Sequence, residues 1–209
     1  MPKYYPALLN LEGLACLVVG GGEVAERKVL SLLESGARVS VISPEVTEEL
    51  KALSEQGKIV WLPRAFLSGD TGDYYLVISA ADQEEVNSRA AEECRAGKTL
   101  INVVDDPQKC NFLVPAVLRR GDLVIAVSTG GASPLVARQI RKDLERRYGS
   151  EYEEYLKLLS EARTQVLERV SDPVIRRKIF EQLADGHLFR LLQDGQIYEA
   201  KEWVKQCLS

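Results

Sequence analysis

The stretch CLVVGGGEVAERK, residues 16–28, runs from an apolar strand-like segment into three consecutive glycines and then into a helix-like segment. A tight turn needs one glycine or two. Three in a row imply that something approaches the backbone closely. Gly20, Gly21, Gly22, Glu23, Val24 and Ala25 match G-x-G-x-x-G/A in the required context, after a strand and at the start of a helix. Gly20 suits the turn. Gly22 leaves its backbone bare to a pyrophosphate, and Ala25 is small enough for the helix to pack on the strand. The helix N-terminus then offers free N–H groups to the phosphates. The alternative is a glycine-rich turn that holds no ligand. A P-loop is excluded, because no Gly-Lys-Ser/Thr follows.

Outward from this stretch, strand and helix signals alternate. LACLVV (14–19), RVSVIS (38–43), KIVWL (58–62), YYLVISA (74–80), TLINVV (99–104) and DLVIAVS (122–128) read as strands. Segments 23–34, 44–56 and 83–96 read as helices, the second opening with Pro44 and the third closed by Gly97. The stretch between the third and fourth strands, with Gly69 and Gly72, is irregular. Short apolar strands separated by helices predict an α/β fold, a Rossmann-like doubly wound parallel sheet covered on both faces. After Thr129 the pattern changes. TGGAS (129–133) is a loop, and Ser133 caps a helix that opens with Pro134 and reaches about Tyr148. From Ser150 onward only helical signals remain, broken near Ser171–Pro173, Gly186 and Gly195. The expected division is 1–128 for the nucleotide-binding domain, 129–149 for a connecting loop and helix, and 150–209 for a helical domain.

Composition narrows the function classes. The chain has 209 residues, a formal charge of -4 and a sequence pI near 5.3, so no global positive field favours nucleic acid or an anionic membrane. No run approaches the length of a membrane span, and the N-terminal residues lack the apolar run of a signal peptide. Cys16, Cys94, Cys110 and Cys207 form no CxxC pair, which suits reduced thiols in the cytoplasm. The single histidine, His187, cannot build a histidine metal cluster, and no metal site is expected.

The second strand lacks the acid that usually grips the adenosine ribose. Its tip holds Ser43, Pro44 and then Glu45, with no arginine for a 2′-phosphate, which favours NAD over NADP. Ala81, after the fourth strand, and Asn102, on the fifth, are further cofactor candidates; Asn102 would equally satisfy backbone groups. Asp105 follows the fifth strand at a carboxyl end, the edge that faces ligands in open α/β sheets. It is the candidate proton acceptor, and partial burial would raise its pKa. The other reading of DDP is a turn capped by aspartate, the role expected of Asp106. Arg119, Arg120, Arg138, Arg141 and Lys142 offer cations for carboxylates, although Arg141 and Lys142 equally suit a solvated helix face. The loop Thr129 to Ser133 is either an anion-binding loop or a helix cap.

VVGGGEVAERK, INVVDDP, NFLVPAVLRRGDLVIAVSTGGASPLVARQIR and the opening YYPALLNLEG together resemble the precorrin-2 dehydrogenase / sirohydrochlorin ferrochelatase family, similar to the N-terminal module of fused siroheme synthases. The resemblance covers nearly the whole chain and is strongest over residues 5–147. It implies NAD-dependent dehydrogenation of precorrin-2 to sirohydrochlorin, with ferrous iron as a further substrate in bifunctional members, and a homodimer. It places the essential aspartate of its NVVD motif at Asp105. Where the family has a serine or threonine before its GG, this chain has Thr129, preceded by Ser128; these two, Gly130 and Gly131, with Arg119, Arg120 and Arg138 read from their charge, are the candidate substrate-binding residues. Two other classes stay open: a regulatory module sensing the NAD/NADH ratio, which needs neither Asp105 nor an anion pocket, and a dehydrogenase of another small molecule.

Overall fold

The computed structural model describes residues 3–208. They form two compact units, Met1–Val114 and Pro115–Ser209. The first holds a five-stranded, all-parallel sheet: β1 (Ala15–Val19), β2 (Arg38–Ile42), β3 (Ile59–Leu62), β4 (Leu76–Ser79) and β5 (Leu100–Val103), in the order β3-β2-β1-β4-β5. Three helices complete it: α1 (Glu23–Glu34), α2 (Glu48–Glu55) and α3 (Glu84–Gly97). The expected parallel α/β sheet is therefore present.

The pleat sends alternate residues to opposite faces, and both faces are apolar. Cys16, Val18, Val41 and Ile78 pack with Ala25, Val29 and Leu32 of α1 and Leu50 and Leu53 of α2. Leu17, Val19, Val77, Ile101 and Val103 face the other way, onto Ala90, Ala91 and Cys94 of α3. Burial alone pushes the Cys16 thiol up to about 11, so it behaves as a small apolar side chain. The order reverses between β1 and β4. The crevice that such folds use opens there, at the carboxyl ends of the strands.

Two helix ends differ from expectation. α2 begins at Glu48, not at Pro44: Thr47 is its cap, its Oγ1 accepting from the Leu50 N–H at 3.3 Å. The chain bends at Pro44 and Glu45 before it and is tied to the glycine loop, where the Thr47 N–H donates to the Gly21 carbonyl at 3.0 Å. α3 includes Gly97, and the left-handed position is taken by Lys98 at φ +58°. The Thr99 N–H reaches the Cys94 carbonyl at 2.8 Å, a six-to-one closure that makes Lys98 the residue past the end. The irregular connection before β4 is tied by Asp70, whose carboxylate takes both Arg64 Nη atoms at 2.6 and 2.8 Å and the Leu67 N–H at 2.8 Å.

The expected sixth parallel strand is a correction. Residues Leu123–Val127 (β7) pair antiparallel with Ala116–Arg120 (β6) in a separate two-stranded ribbon. Gly121, at φ +54°, and Asp122 form the two-residue turn between Arg120 and Leu123. The expected boundary at residue 128 thus falls within the second compact unit, which starts at Pro115. That unit continues with α4 (Pro134–Arg147), α5 (Glu151–Arg169), α6 (Pro173–Leu183), α7 (His187–Gln193) and α8 (Ile197–Leu208). The breaks fall where the sequence placed them. Leu158, Ala162, Leu183, Leu188, Leu192, Ala200 and Val204 form the core of the tail, with Tyr155, Leu159, Ile179, Leu191 and Trp203 packed against it. These apolar positions satisfy one another within the chain. The large exposed apolar side chains of this unit lie elsewhere, at Leu135, Val136 and Ile140 of α4, Leu167 of α5, Val174 and Ile175 of α6, and Ile197 and Tyr198 of α8. Among the described residues no helix is long and apolar enough to cross a membrane.

Candidate active site

Each of the three glycines has its own physical reason. Gly20 sits at φ +117°, and a Cβ there would lie 2.4 Å from the Ala80 carbonyl oxygen, so the ends of β1 and β4 approach only because it has none. Gly21 is the tightest: a Cβ would meet the Glu45 carbonyl oxygen at 2.0 Å and Ser43 Oγ at 2.8 Å. The middle glycine therefore belongs to packing of the β2–α2 loop. Gly22 is the open one, with nothing within 4 Å of a Cβ. It is the N-cap of α1 and supplies no side-chain cap, whereas Thr47, Ser133 and Asp172 cap α2, α4 and α6 with side-chain oxygens. An uncapped helix start behind an unobstructed glycine fits a pyrophosphate.

The neighbouring acids are arranged consistently with this. Glu26, in the first turn of α1, accepts from Thr47 Oγ1 at 2.6 Å and is thereby fastened to the α2 side. A hollow of about 440 Å³ between α1 and the start of α2 is lined by Glu23, Glu26, Arg27, Thr47, Glu48 and Glu49. Four carboxylates against one guanidinium disfavour phosphate there. Val24 is half-buried and Ala25 buried, while Glu23 is exposed. At the β2 tip Ser43 is half-buried and its carbonyl accepts from Trp61 Nε1 at 2.9 Å; Pro44 and Glu45 are exposed.

The β4 tip contains a residue that the sequence reading missed. Asn87 of α3 is buried; its Oδ1 accepts from Ser79 Oγ at 2.7 Å and from the Ala81 N–H at 3.3 Å, and its Nδ2 donates to the Ala81 carbonyl at 2.9 Å. Ala81 is held in place by this one side chain. The signal was an asparagine inside a helical segment, a position of low helix propensity. Asn102 is also buried. Its Nδ2 donates to the Phe112 carbonyl at 3.1 Å and lies 3.5 Å from Cys110 Sγ. Its amide thus fastens the segment after β5 to the strand.

Asp105 stands at the β5 tip in the left-handed region, φ +61°. Its side chain is exposed, not half-buried as expected, and among the described residues it makes no hydrogen bond or ion pair. The neighbour is different. Asp106 Oδ1 accepts from the Gln108 N–H at 3.1 Å and Oδ2 pairs with Lys109 at 3.0 Å. Bonding to Lys109 foremost holds the Asp106 carboxyl below the usual carboxylate range. Asp106 caps the single 3-10 turn Pro107–Lys109, whereas Asp105 has no structural task of that kind.

In the second unit, Arg119 and Arg138 are exposed and unpaired among the described residues. Arg120 donates to the Arg119 carbonyl at 2.9 Å. Arg141 pairs with Glu145 on its own helix, and Lys142 is exposed. The loop before α4 is largely self-satisfied. Thr129 Oγ1 bonds the Ser133 carbonyl and N–H, each at 3.0 Å, and Ser128 Oγ accepts from the Gly130 N–H at 3.1 Å. Gly130 and Gly131 take φ +64° and +90°. His187 packs edge-on to Trp203 at 4.7 Å. Among the described residues no group of three or more His, Cys, Asp or Glu is placed to hold a metal ion.

Comparison with known proteins agrees with this division of labour. A family model of NAD(P)-binding domains matches residues 7–116, one for the central part of sirohaem biosynthesis proteins matches 120–147, and one for the sirohaem synthase dimerisation region matches 151–208. The siroheme synthase of Thioalkalivibrio sulfidiphilus is 38% identical over 205 residues, covering 98% of this chain and 42% of that protein. The siroheme synthase of Xylella fastidiosa is 39% identical over 206 residues, covering 98% of this chain and 43% of that protein. The chain thus spans about two fifths of the length of the curated relatives it matches. A solved structure, SirC, precorrin-2 dehydrogenase, superposes with a TM-score of 0.84 at 26% identity, covering 98% of both chains. With these three successive matches along its length, the chain belongs to the precorrin-2 dehydrogenase / sirohydrochlorin ferrochelatase family, of the type that forms the N-terminal module of siroheme synthases.

Proposed function

We propose that the protein is an NAD-dependent dehydrogenase of precorrin-2, forming sirohydrochlorin. The observation that carries this reading is Asp105: an exposed carboxylate with no internal bonding partner at the carboxyl edge of a dinucleotide-binding sheet. Oxidising a saturated carbon–carbon unit removes a hydride from one atom and a proton from the next. Bound NAD supplies the hydride acceptor. Asp105 takes the proton, and its exposure lets that proton pass on to water. Gly22 and the uncapped start of α1 hold the pyrophosphate, while Gly20 and the Asn87-braced Ala81 keep the β1 and β4 tips close together. NAD is favoured over NADP because the β2 tip offers Ser43, Pro44 and Glu45 but no cation, and Glu48 and Glu49 stand nearby. Arg119 and Arg138 are the cations that this chemistry assigns to the carboxylate arms of the tetrapyrrole, and the protein acts as a homodimer.

The test is anaerobic incubation with precorrin-2 and either NAD or NADP, followed by absorbance. Formation of sirohydrochlorin with NAD, and much less with NADP, is expected. NAD binding without turnover of precorrin-2 would remove the reading in favour of a nucleotide sensor. Ferrous ion added to the same mixture tests whether the chain also inserts iron.

A further inference from the structure

β5 is an edge strand, so alternate main-chain groups along it look outward with no neighbouring strand to bond them. The Val104 N–H turns inward, to the Ser79 carbonyl at 2.9 Å, which leaves Ile101 and Val103 facing the open edge. The segment after Asp105 folds back to serve them. At Ile101 the partner is Asn111, whose N–H donates to the Ile101 carbonyl at 3.1 Å and whose Oδ1 accepts from the Ile101 N–H at 2.8 Å. At Val103 the partner is the Cys110 thiol. Its sulfur accepts from the Val103 N–H at 3.2 Å and lies 3.3 Å from the Val103 carbonyl oxygen and 3.2 Å from the Asp106 carbonyl oxygen. Either carbonyl can take the thiol proton. Burial foremost raises the Cys110 pKa above the ordinary thiol value, so that proton stays in place at neutral pH.

These contacts fall on both sides of Asp105. Val103 precedes it by two residues and Asp106 follows it, and the Asp106 N–H also closes onto the Val103 carbonyl at 3.3 Å. Asp105 itself stands at φ +61°, a conformation that a non-glycine residue keeps only where its surroundings over-determine it. Its carboxylate makes no hydrogen bond or ion pair among the described residues, so the main chain sets the direction in which the side chain leaves the strand tip. We infer that Cys110 is a positioning residue for Asp105: its thiol brackets the turn from Val103 to Asp106 and so aims the Asp105 side chain from the β5 tip. The role rests on the dehydrogenase reading of Asp105; the bracket does not. Satisfying the strand edge would need only the Val103 contacts. The reach to the Asp106 carbonyl, beyond Asp105, is what ties the thiol to the turn.

The bracket is tested without substrate, by amide hydrogen exchange followed by NMR in the wild-type protein, Cys110→Ala and Cys110→Ser. Alanine is expected to speed exchange at Val103 and Asp106 by about three- to tenfold, the effect of one lost hydrogen bond, while the amides of β1 keep their wild-type rates. Serine also donates and accepts, and should restore most of the protection. Unchanged exchange at both amides in Cys110→Ala overturns the bracket. The aim is tested by steady-state kinetics with precorrin-2. Cys110→Ala is expected to lower kcat about tenfold, less than the roughly 10²-fold of a 1 Å misplacement, with the Kd for NAD unchanged. Cys110→Ser should recover most of that loss. In the Asp105→Asn background Cys110→Ala should cost nothing further, because no base is left to aim. Wild-type kcat in Cys110→Ala, equal damage from serine and alanine, or an undiminished loss in the Asp105→Asn background overturns the role while the wild-type enzyme stays active. A wild-type protein that binds NAD and leaves precorrin-2 unoxidised instead ends the dehydrogenase reading and the role with it, and the exchange rates alone then decide the bracket.

Discussion

At the scale of the residue, Asp105 combines two features that seldom occur together by accident. Its backbone is left-handed at φ +61°, and its carboxylate has no bonding partner among the described residues. Aspartate tolerates that conformation better than most residues, and asparagine tolerates it as well. Asp105→Asn should therefore keep the fold and NAD affinity while lowering dehydrogenation about 10²–10⁴-fold, the usual consequence of losing a general base. Asp106→Asn in the same assay should be mild in rate, since the Asp106 carboxylate is engaged with Gln108 and Lys109. A fully active Asp105→Asn enzyme would end the assignment. The glycines invite a second comparison. Gly21→Ala puts a methyl 2.0 Å from the Glu45 carbonyl oxygen, and overpacking of this kind should cost about 1–3 kcal/mol in chemical denaturation. Gly22→Ala meets nothing within 4 Å. It should keep its stability and instead weaken NAD binding in a titration, because the methyl enters the ligand's space.

At the scale of the element, the connection from β3 to β4 has no helix; the Arg64–Asp70 pair ties it within itself, while Glu93 of α3 accepts from the Gly69 N–H and Thr71 Oγ1. Asp70 takes three hydrogen bonds, two from Arg64, and these hold its carboxyl below the usual carboxylate range. The linkage has a definite sign. A depressed folded pKa adds stability above the unfolded value, near 3.8, and that stability is lost as pH falls through the lower folded value. Asp70→Asn should therefore cost about 1 kcal/mol near pH 7, Arg64 being substantially exposed. The difference between variant and wild type should shrink below pH 4; a gap in urea midpoints that persists there would place the stabilisation elsewhere. The β6–β7 ribbon makes the complementary point. Its antiparallel turn at Gly121 and Asp122 was visible as a Gly-Asp pair between two apolar runs. The run 116–120 ends in two arginines, and those charges hid its strand character.

At the scale of the whole molecule, the tail's apolar residues fill a core of their own, and the side chains left exposed are the ones open to self-association. Leu135, 73% exposed, and Ile140 lie on α4, in the unit whose residues 151–208 match a dimerisation region. Sedimentation at micromolar concentration should find a dimer, and Leu135→Glu with Ile140→Glu should loosen it; a wild-type monomer would count against the homodimer. What the sequence determined by itself was local and periodic. The strand-glycine-helix run, the alternation of elements, the breaks at Pro173, Gly186 and Gly195 and the capping Ser133 follow from short-range sterics and hydrogen bonding, which neighbouring residues encode. Only the tertiary structure decided which glycines are packed and which is open, because that depends on Ala80 and Glu45, far away in the chain. It also showed that Asn87 braces Ala81. Those are distances across the sheet, and a chain reveals them only when its strands have been laid side by side.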